Sequence, residues 1–199
     1  MGRVEGKVAV ITGGAMGMGN GSAKILAQEG AKVVIIDFSE KGQAAADEIN
    51  AAGGEAIAYR VDVRDGVRLK EIYREVFEKY GSLDILVNAA GLGSQRSFLK
   101  CDDEYIDNYM AINFKGVWNS CQAAVPYMLK AGYGKIVNYA SVTGVMVVDP
   151  CMTSYAATKG AIMAFTKALA VELAPSNITV NAILPGMVDT PMTQASCTE

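Results

Sequence analysis

Tyr155, Lys159 and Ser141 are the residues of this 199-residue chain whose types and spacing can do chemistry. Tyr155-Ala-Ala-Thr-Lys159 sets a phenol and an ammonium four residues apart. On a helix beginning near Tyr155, the two side chains lie one turn apart on the same face. A free phenol titrates near pH 10, too high to accept a proton at neutral pH. An adjacent ammonium favours the phenolate and brings it toward working range. Ser141, fourteen residues upstream of Tyr155, supplies a hydroxyl able to hold the oxygen of a substrate. Chance and exposed helix faces also produce Y-x-x-x-K, so its meaning depends on the elements that position it.

Those elements alternate. Short, apolar, β-branched runs at 7–12, 32–37, 56–61, 83–88, 134–140 and 178–183 read as strands. Helical patterns fall between them at 20–29, 42–52, 67–80, 103–130 and 155–174. Strands apolar on both sides suit a parallel sheet covered on both faces. Strict β–α alternation with right-handed crossovers makes this an α/β chain with a Rossmann-like doubly wound parallel sheet, strand order 3-2-1-4-5-6.

Thr12-Gly13-Gly14-Ala15-Met16-Gly17-Met18-Gly19 stands between the first strand and its helix. Glycines there permit a tight turn and let backbone N–H groups approach a pyrophosphate, whose charge the helix N-terminus stabilises. A flexible turn would show the same residues, but the string follows a strand and opens a helix, as a dinucleotide site requires. Asp37 ends the second strand, eighteen residues after Gly19, near the expected spacing for a ribose-binding acid. Its carboxylate accepts two ribose hydroxyls and repels a 2′-phosphate, and neither the glycine turn nor Phe38-Ser39 supplies a basic side chain. The cofactor expected is therefore NAD rather than NADP, although an aspartate here also suits a helix N-cap.

The spacing T-G-x-x-x-G-x-G, followed in order by Asp62-Val63, Asn88-Ala89-Ala90-Gly91, Asn113, Ser141, Tyr155/Lys159 and Pro185-Gly186, resembles the short-chain dehydrogenase/reductases from Lys7 to Met192. The resemblance implies that Gly13, Met16, Gly17, Met18, Gly19, Asp37 and Phe38 bind the adenosine and pyrophosphate half of NAD. It implies that Asp62-Val63 contact the adenine, that Asn88, Ala89 and Gly91 pass the adenine ribose, and that Asn88 also braces the sheet. Ala89 stands where the family often has a second Asn. Pro185, Gly186, Val188 and Thr190 resemble the segment holding the nicotinamide carboxamide.

For the reaction, the resemblance implies that Tyr155 exchanges the proton of a secondary alcohol or ketone and Ser141 orients its oxygen. Lys159 lowers the Tyr155 pKa and binds the nicotinamide ribose. Asn113 kinks the long helix and completes a water relay. Hydride passes between substrate carbon and nicotinamide, and no metal is needed. The absence of histidine agrees with that, since it excludes most zinc and iron sites.

Composition bounds the remainder. Hydrophobic content of 51% and charge of 20% describe a globular chain, expected to form one dinucleotide-binding domain over 1–199. A net charge of −3 without a basic run argues against nucleic acid. Cys101, Cys121, Cys151 and Cys197 show no C-x-x-C spacing, and no apolar run reaches membrane-span length. Those features, with an N-terminus lacking signal-peptide design, predict a cytoplasmic protein. The apolar stretch 142–152 predicts a bulky apolar or steroid-like alcohol or ketone, or else packing against a loop or subunit. The resemblance implies a homo-dimer or tetramer through the two long helices, with Tyr109, Phe114, Trp118 and Tyr127 as candidates. Members commonly run to about 250 residues, so the usual lid and seventh strand are expected to be missing. A truncated or regulatory dinucleotide-binding protein without efficient turnover is the alternative function.

Overall fold

The computed structural model describes residues 2–196. Six strands form one parallel sheet: β1 (Val8–Thr12), β2 (Lys32–Asp37), β3 (Glu55–Arg60), β4 (Ile85–Asn88), β5 (Gly134–Tyr139) and β6 (Ile178–Ile183), in the order β3-β2-β1-β4-β5-β6. Register runs Val10 opposite Val34 and Leu86, and Ile136 opposite Leu86 and Val180. The order reverses between β1 and β4, where the chain leaves the sheet in both directions and opens a crevice at the carboxyl edge.

Helices α1 (Gly17–Gln28) and α2 (Lys41–Ala51) cover one face, and α3 (Gly66–Tyr80), α5 (Gly116–Ala131) and α6 (Thr153–Leu173) the other. On α3, Leu69, Ile72, Tyr73 and Val76 recur at helical spacing and are all buried, meeting Val117, Ala124 and Met128 of α5. Asp65 caps α3 by accepting the Arg68 N–H at 2.9 Å, and Gly81 ends it. The opposite face is lined by Ala23, Ala27, Ala45 and Ala46, small residues that let α1 and α2 lie close to the sheet, with Ile49 filling the space beside them. Each fully buried Ile, Leu or Val contributes about 1.5–3 kcal/mol, and β1 and the core of β2 are buried throughout.

Three elements differ in detail from the sequence reading. The fourth strand starts at Ile85, although the Asp84 backbone still bonds both neighbours, donating to Val8 O at 3.0 Å and accepting from Lys135 N at 2.9 Å. The Asp84 carboxylate accepts from Val8 N at 2.9 Å, Ser82 Oγ at 2.7 Å and Lys7 Nζ at 3.0 Å. Burial alone would raise its pKa, but these donors hold it below the ordinary value. The long helix is not one regular element: α4 (Asp103–Tyr109) runs into a π-helical turn at Met110–Lys115 before α5. A short helix α7 (Pro191–Ser196), not expected from periodicity, follows β6. Among the described residues, Cys101, Cys121 and Cys151 are free thiols, and Cys197 lies outside them. No helix of the described residues is long and apolar enough to cross a membrane.

Candidate active site

Tyr155 sits in the first turn of α6 and Lys159 one turn later, as their spacing predicted. The Lys159 ammonium lies 5.6 Å from the centre of the Tyr155 ring. Lys159 is 6% exposed and donates to the main-chain oxygen of Tyr139 at 2.7 Å. Burial pushes its pKa down to about 8, so at neutral pH it still carries its proton. Ser141, two residues past β5, is also buried, lies near enough to the Tyr155 hydroxyl to favour its ionised form, and accepts the Thr143 N–H at 3.1 Å. Helix α6 and the loop after β5 thus meet at one phenol.

One expectation needs correction. Tyr155 titrates above its ordinary value, not below it: burial raises the pKa and Ser141 only partly offsets this. The physical reason is orientation. Lys159 points its ammonium at the Tyr139 carbonyl and passes over the phenol ring rather than meeting the hydroxyl.

The π-helical turn serves Asn113. π turns insert one residue into a helix and re-aim the side chains there. The fully buried Asn113 accepts from Leu92 N at 2.7 Å and donates to Leu92 O at 3.0 Å and Thr158 Oγ1 at 3.1 Å. Thr158 Oγ1 in turn donates to the carbonyl of Tyr155 at 2.8 Å. The chain after β4 is thereby clamped to α6. A Cβ on Gly91 would stand 3.2 Å from Asn113 Oδ1 and 3.8 Å from Lys159 Nζ, which places that backbone directly over the lysine.

The glycine turn forms a cradle beside this cluster. Gly13 has φ of +70°, and a Cβ there would meet Ala90 N at 2.6 Å. A Cβ on Gly19 would meet Gly13 O at 2.2 Å, so the turn closes only with glycine at both positions. Met16 precedes α1 in extended conformation with no side-chain cap, and α1 carries no acid in its first turn. Its leading N–H groups are thus left for an anion. Met16 and Met18 are partly exposed on the rim. Thr190, which caps α7 through Thr193 N at 3.3 Å, packs over Gly17. The Val142 N–H donates to Pro185 O at 3.2 Å, so Pro185-Gly186-Met187-Val188 reaches from the Ser141 loop toward the glycine turn. These features fit a dinucleotide laid from the turn toward Tyr155.

Asp37 does not cap α2, whose N-cap is Glu40. Its carboxylate instead accepts Ala15 N at 3.0 Å and Ser39 N at 2.8 Å, which ties the glycine turn to the end of β2 and leaves a lone pair on each oxygen for ribose hydroxyls. Phe38 beside it is 68% exposed. Arg60, invisible to a search of the turn alone, stands opposite Asp37 in the β2–β3 register, where its guanidinium binds Glu40 at 2.6 Å and the Phe38 carbonyl at 3.3 Å.

Other expected residues lie nearby but not all aim side chains at the crevice. Asp62 is held by Arg64, whose hydrogen bonds keep its pKa low despite burial. Val63 packs its side chain against Gly116. Asn88 braces the sheet, donating to Asn138 Oδ1 at 2.9 Å, and Asn138 donates to Thr166 Oγ1 at 2.9 Å on α6. Ala89 lies with its methyl 3.3 Å from where a Gly19 Cβ would stand, so a small side chain suits it. Leu92, Thr158 and Tyr139 were missed, since they act through backbone oxygens or a single hydroxyl and leave no spacing signal. Tyr109 is 3% exposed and bonds Ser94, and Tyr127 stacks on Phe77 at 4.8 Å, so both are used within the fold.

The family model described as short chain dehydrogenase matches residues 7–199. Oxidoreductase UcpA of Salmonella typhimurium is 44% identical over 195 residues, covering 98% of this chain and 74% of that protein. The 3-oxoacyl-[acyl-carrier-protein] reductase FabG of Thermotoga maritima is 41% identical, covering 96% and 78%. Among solved structures, carveol dehydrogenase from Mycobacterium avium, crystallised in complex with NAD, superposes with a TM-score of 0.92 at 38% identity, covering 97% of this chain and 75% of that one.

Proposed function

The chain belongs to the short chain dehydrogenase family, and from that membership we propose that it is an NAD(H)-dependent oxidoreductase interconverting a secondary alcohol and a ketone. The observation that carries this reading is the convergence of Ser141 and Lys159 on Tyr155 beside the glycine cradle. When bound, the nicotinamide supplies the two-electron chemistry, taking or giving the hydride.

The chain's own residues do the rest. Ser141 Oγ, buried and fixed by Thr143 N, holds the substrate oxygen next to the Tyr155 hydroxyl. Tyr155 Oη accepts the alcohol proton, or donates one to the ketone. Lys159 stabilises the phenolate that forms and holds the nicotinamide ribose. Asn113, with its side chain committed to Leu92 and Thr158, keeps α6 and the chain after β4 in register around the proton path and supports a water relay. Gly13 to Gly19 and the open end of α1 hold the pyrophosphate. Asp37 and Phe38 hold the adenosine end, with Asp62, Val63, Asn88, Ala89 and Gly91 along its path. Pro185, Gly186, Val188 and Thr190 hold the carboxamide.

Asp37 favours NAD, because a 2′-phosphate would meet its carboxylate while Arg60 is engaged by Glu40. The exposed Val145, Met146, Val147 and Val148 after β5, with Met187 after β6, make the mouth apolar and favour a bulky apolar alcohol or ketone. Family members typically assemble as oligomers. Here Trp118 and Phe114 on α5 and its preceding turn meet Phe165 of α6 at 5.3 and 6.0 Å, with Trp118 40% exposed, a face suited to a second copy. Cytoplasmic location fits the unbridged thiols.

The test is calorimetric titration with NAD and NADP, followed by absorbance assays on alcohols and ketones of increasing apolar size. Tighter NAD binding with turnover is the expected result. Binding without turnover on any of them would assign the chain to regulatory dinucleotide binding instead.

A further inference from the structure

We propose that Tyr139 is a positioning residue that ties the nucleotide-turn helix α1 to the Lys159–Tyr155 pair, so that the two sites are coupled through one side chain. The proposal rests on the alcohol/ketone reading above. Tyr139 is the last residue of β5, two before Ser141. Its main-chain oxygen accepts the Lys159 ammonium at 2.7 Å. Its phenol oxygen shares a hydrogen bond of 2.8 Å with Ser22 Oγ, five residues after Gly17 on α1. The ring packs on the apolar cluster under α1 and α2. One residue therefore touches the lysine with its backbone and the nucleotide helix with its side chain.

This carbonyl matters because the lysine has little else. Lys159 is buried and forms no ion pair among the described residues. The groups around it are the Tyr155 phenol on its own helix, Asn113 on the π turn behind Gly91, and the Tyr139 carbonyl on β5. None of these is a carboxylate. A shift of the carbonyl removes stabilisation from the ammonium, whose proton affinity burial has already weakened, and with it the stabilisation that the ammonium gives to a Tyr155 phenolate. A ligand that settles the first turn of α1 also settles Ser22, then the end of β5, then both Lys159 and Ser141. Coupling of this kind is reciprocal: loosening the tie costs affinity at the turn as well.

The test uses Ser22→Ala, Tyr139→Phe and their double variant in the full chain, with Ser22→Thr as the conservative control. Ser22→Ala introduces a better helix former, and Tyr139→Phe keeps the ring, so misfolding does not explain a loss. Each single variant should bind dinucleotide about threefold more weakly by calorimetry, the scale of one weakened neutral hydrogen bond. Each should also move the acid limb of alcohol oxidation upward by about half a pH unit, which is the same factor in rate. The double variant should match the singles, and Ser22→Thr the parent. Unchanged affinity and an unchanged acid limb, or additive effects in the double variant, would overturn the coupling. If Tyr155→Phe kept full turnover, the alcohol/ketone reading would fall and the coupling to it with it; loss of turnover there, with silent Tyr139→Phe and Ser22→Ala, sinks the coupling alone.

Discussion

Replacing Lys159 by methionine should change how the stability of the protein responds to pH. Burial drives the Lys159 ammonium from its ordinary 10.5 down to about 8. Between those values the unfolded chain binds more protons than the folded one, so stability rises with pH through that window. Below pH 8 the folded protein carries the whole cost of a buried ammonium, about 3 kcal/mol from the difference in proton affinity. Lys159→Met removes the titration while keeping a flexible, unbranched side chain. The variant also leaves the Tyr139 carbonyl without its donor, but that cost is independent of pH and offsets the curve without tilting it. Urea unfolding of both proteins from pH 7 to about 9.5, below the range where the buried tyrosines titrate, isolates the slope. The wild type should gain about 2 kcal/mol relative to Lys159→Met across that series, or about 4–8 °C in Tm. Parallel curves would mean that the lysine is not desolvated and would refute the reasoning.

Three further outcomes follow from the geometry. Asp37→Asn should raise affinity for NADP relative to NAD by about tenfold, one step of 1.4 kcal/mol, measured by calorimetry, because it removes the carboxylate charge that a 2′-phosphate would meet; an unaltered ratio removes Asp37 as the selector. Gly19→Ala brings a Cβ to 2.2 Å from Gly13 O and should weaken dinucleotide binding more than about tenfold while far-UV circular dichroism stays native; retained affinity would show that the turn yields. Trp118→Asp puts a charge on the Phe114–Phe165 face and should shift light-scattering mass toward the monomer, whereas an unchanged mass places the interface elsewhere.

The sheet was legible because its determinants are local. The runs at 32–37 and 178–183 became strands with the expected ends; the apolar content of the first follows from burial on both faces of a parallel sheet, whereas the second, at the sheet edge, buries Ile178 and Val180 and exposes Thr179 and Asn181. Tyr155, Lys159 and Ser141 were legible through helical spacing and order along the chain. An interruption of the long helix at Asn113 was expected from the resemblance, but its π form was not, and only the partners of Asn113 reveal what the insertion is for. Arg60 was missed since register, not sequence distance, brings it to Asp37. The direction of the Tyr155 pKa was missed because it depends on where an ammonium points, and Lys159 answers a backbone oxygen that any residue at position 139 would offer. The helix after β6 is short and opens with Thr190-Pro191, a cap followed by a first-turn proline that is visible only once the end of β6 is known.

The most direct test of the account is Tyr155→Phe, which deletes one oxygen and leaves the ring that packs beside Lys159. Dinucleotide affinity measured by calorimetry should stay within about twofold, while turnover of the best alcohol at saturating cofactor should fall by about 10²–10⁴, the contribution of a positioned acid–base group. Turnover within threefold of the parent (about 0.7 kcal/mol in barrier height) would contradict the assignment of Tyr155 as the group that moves the proton.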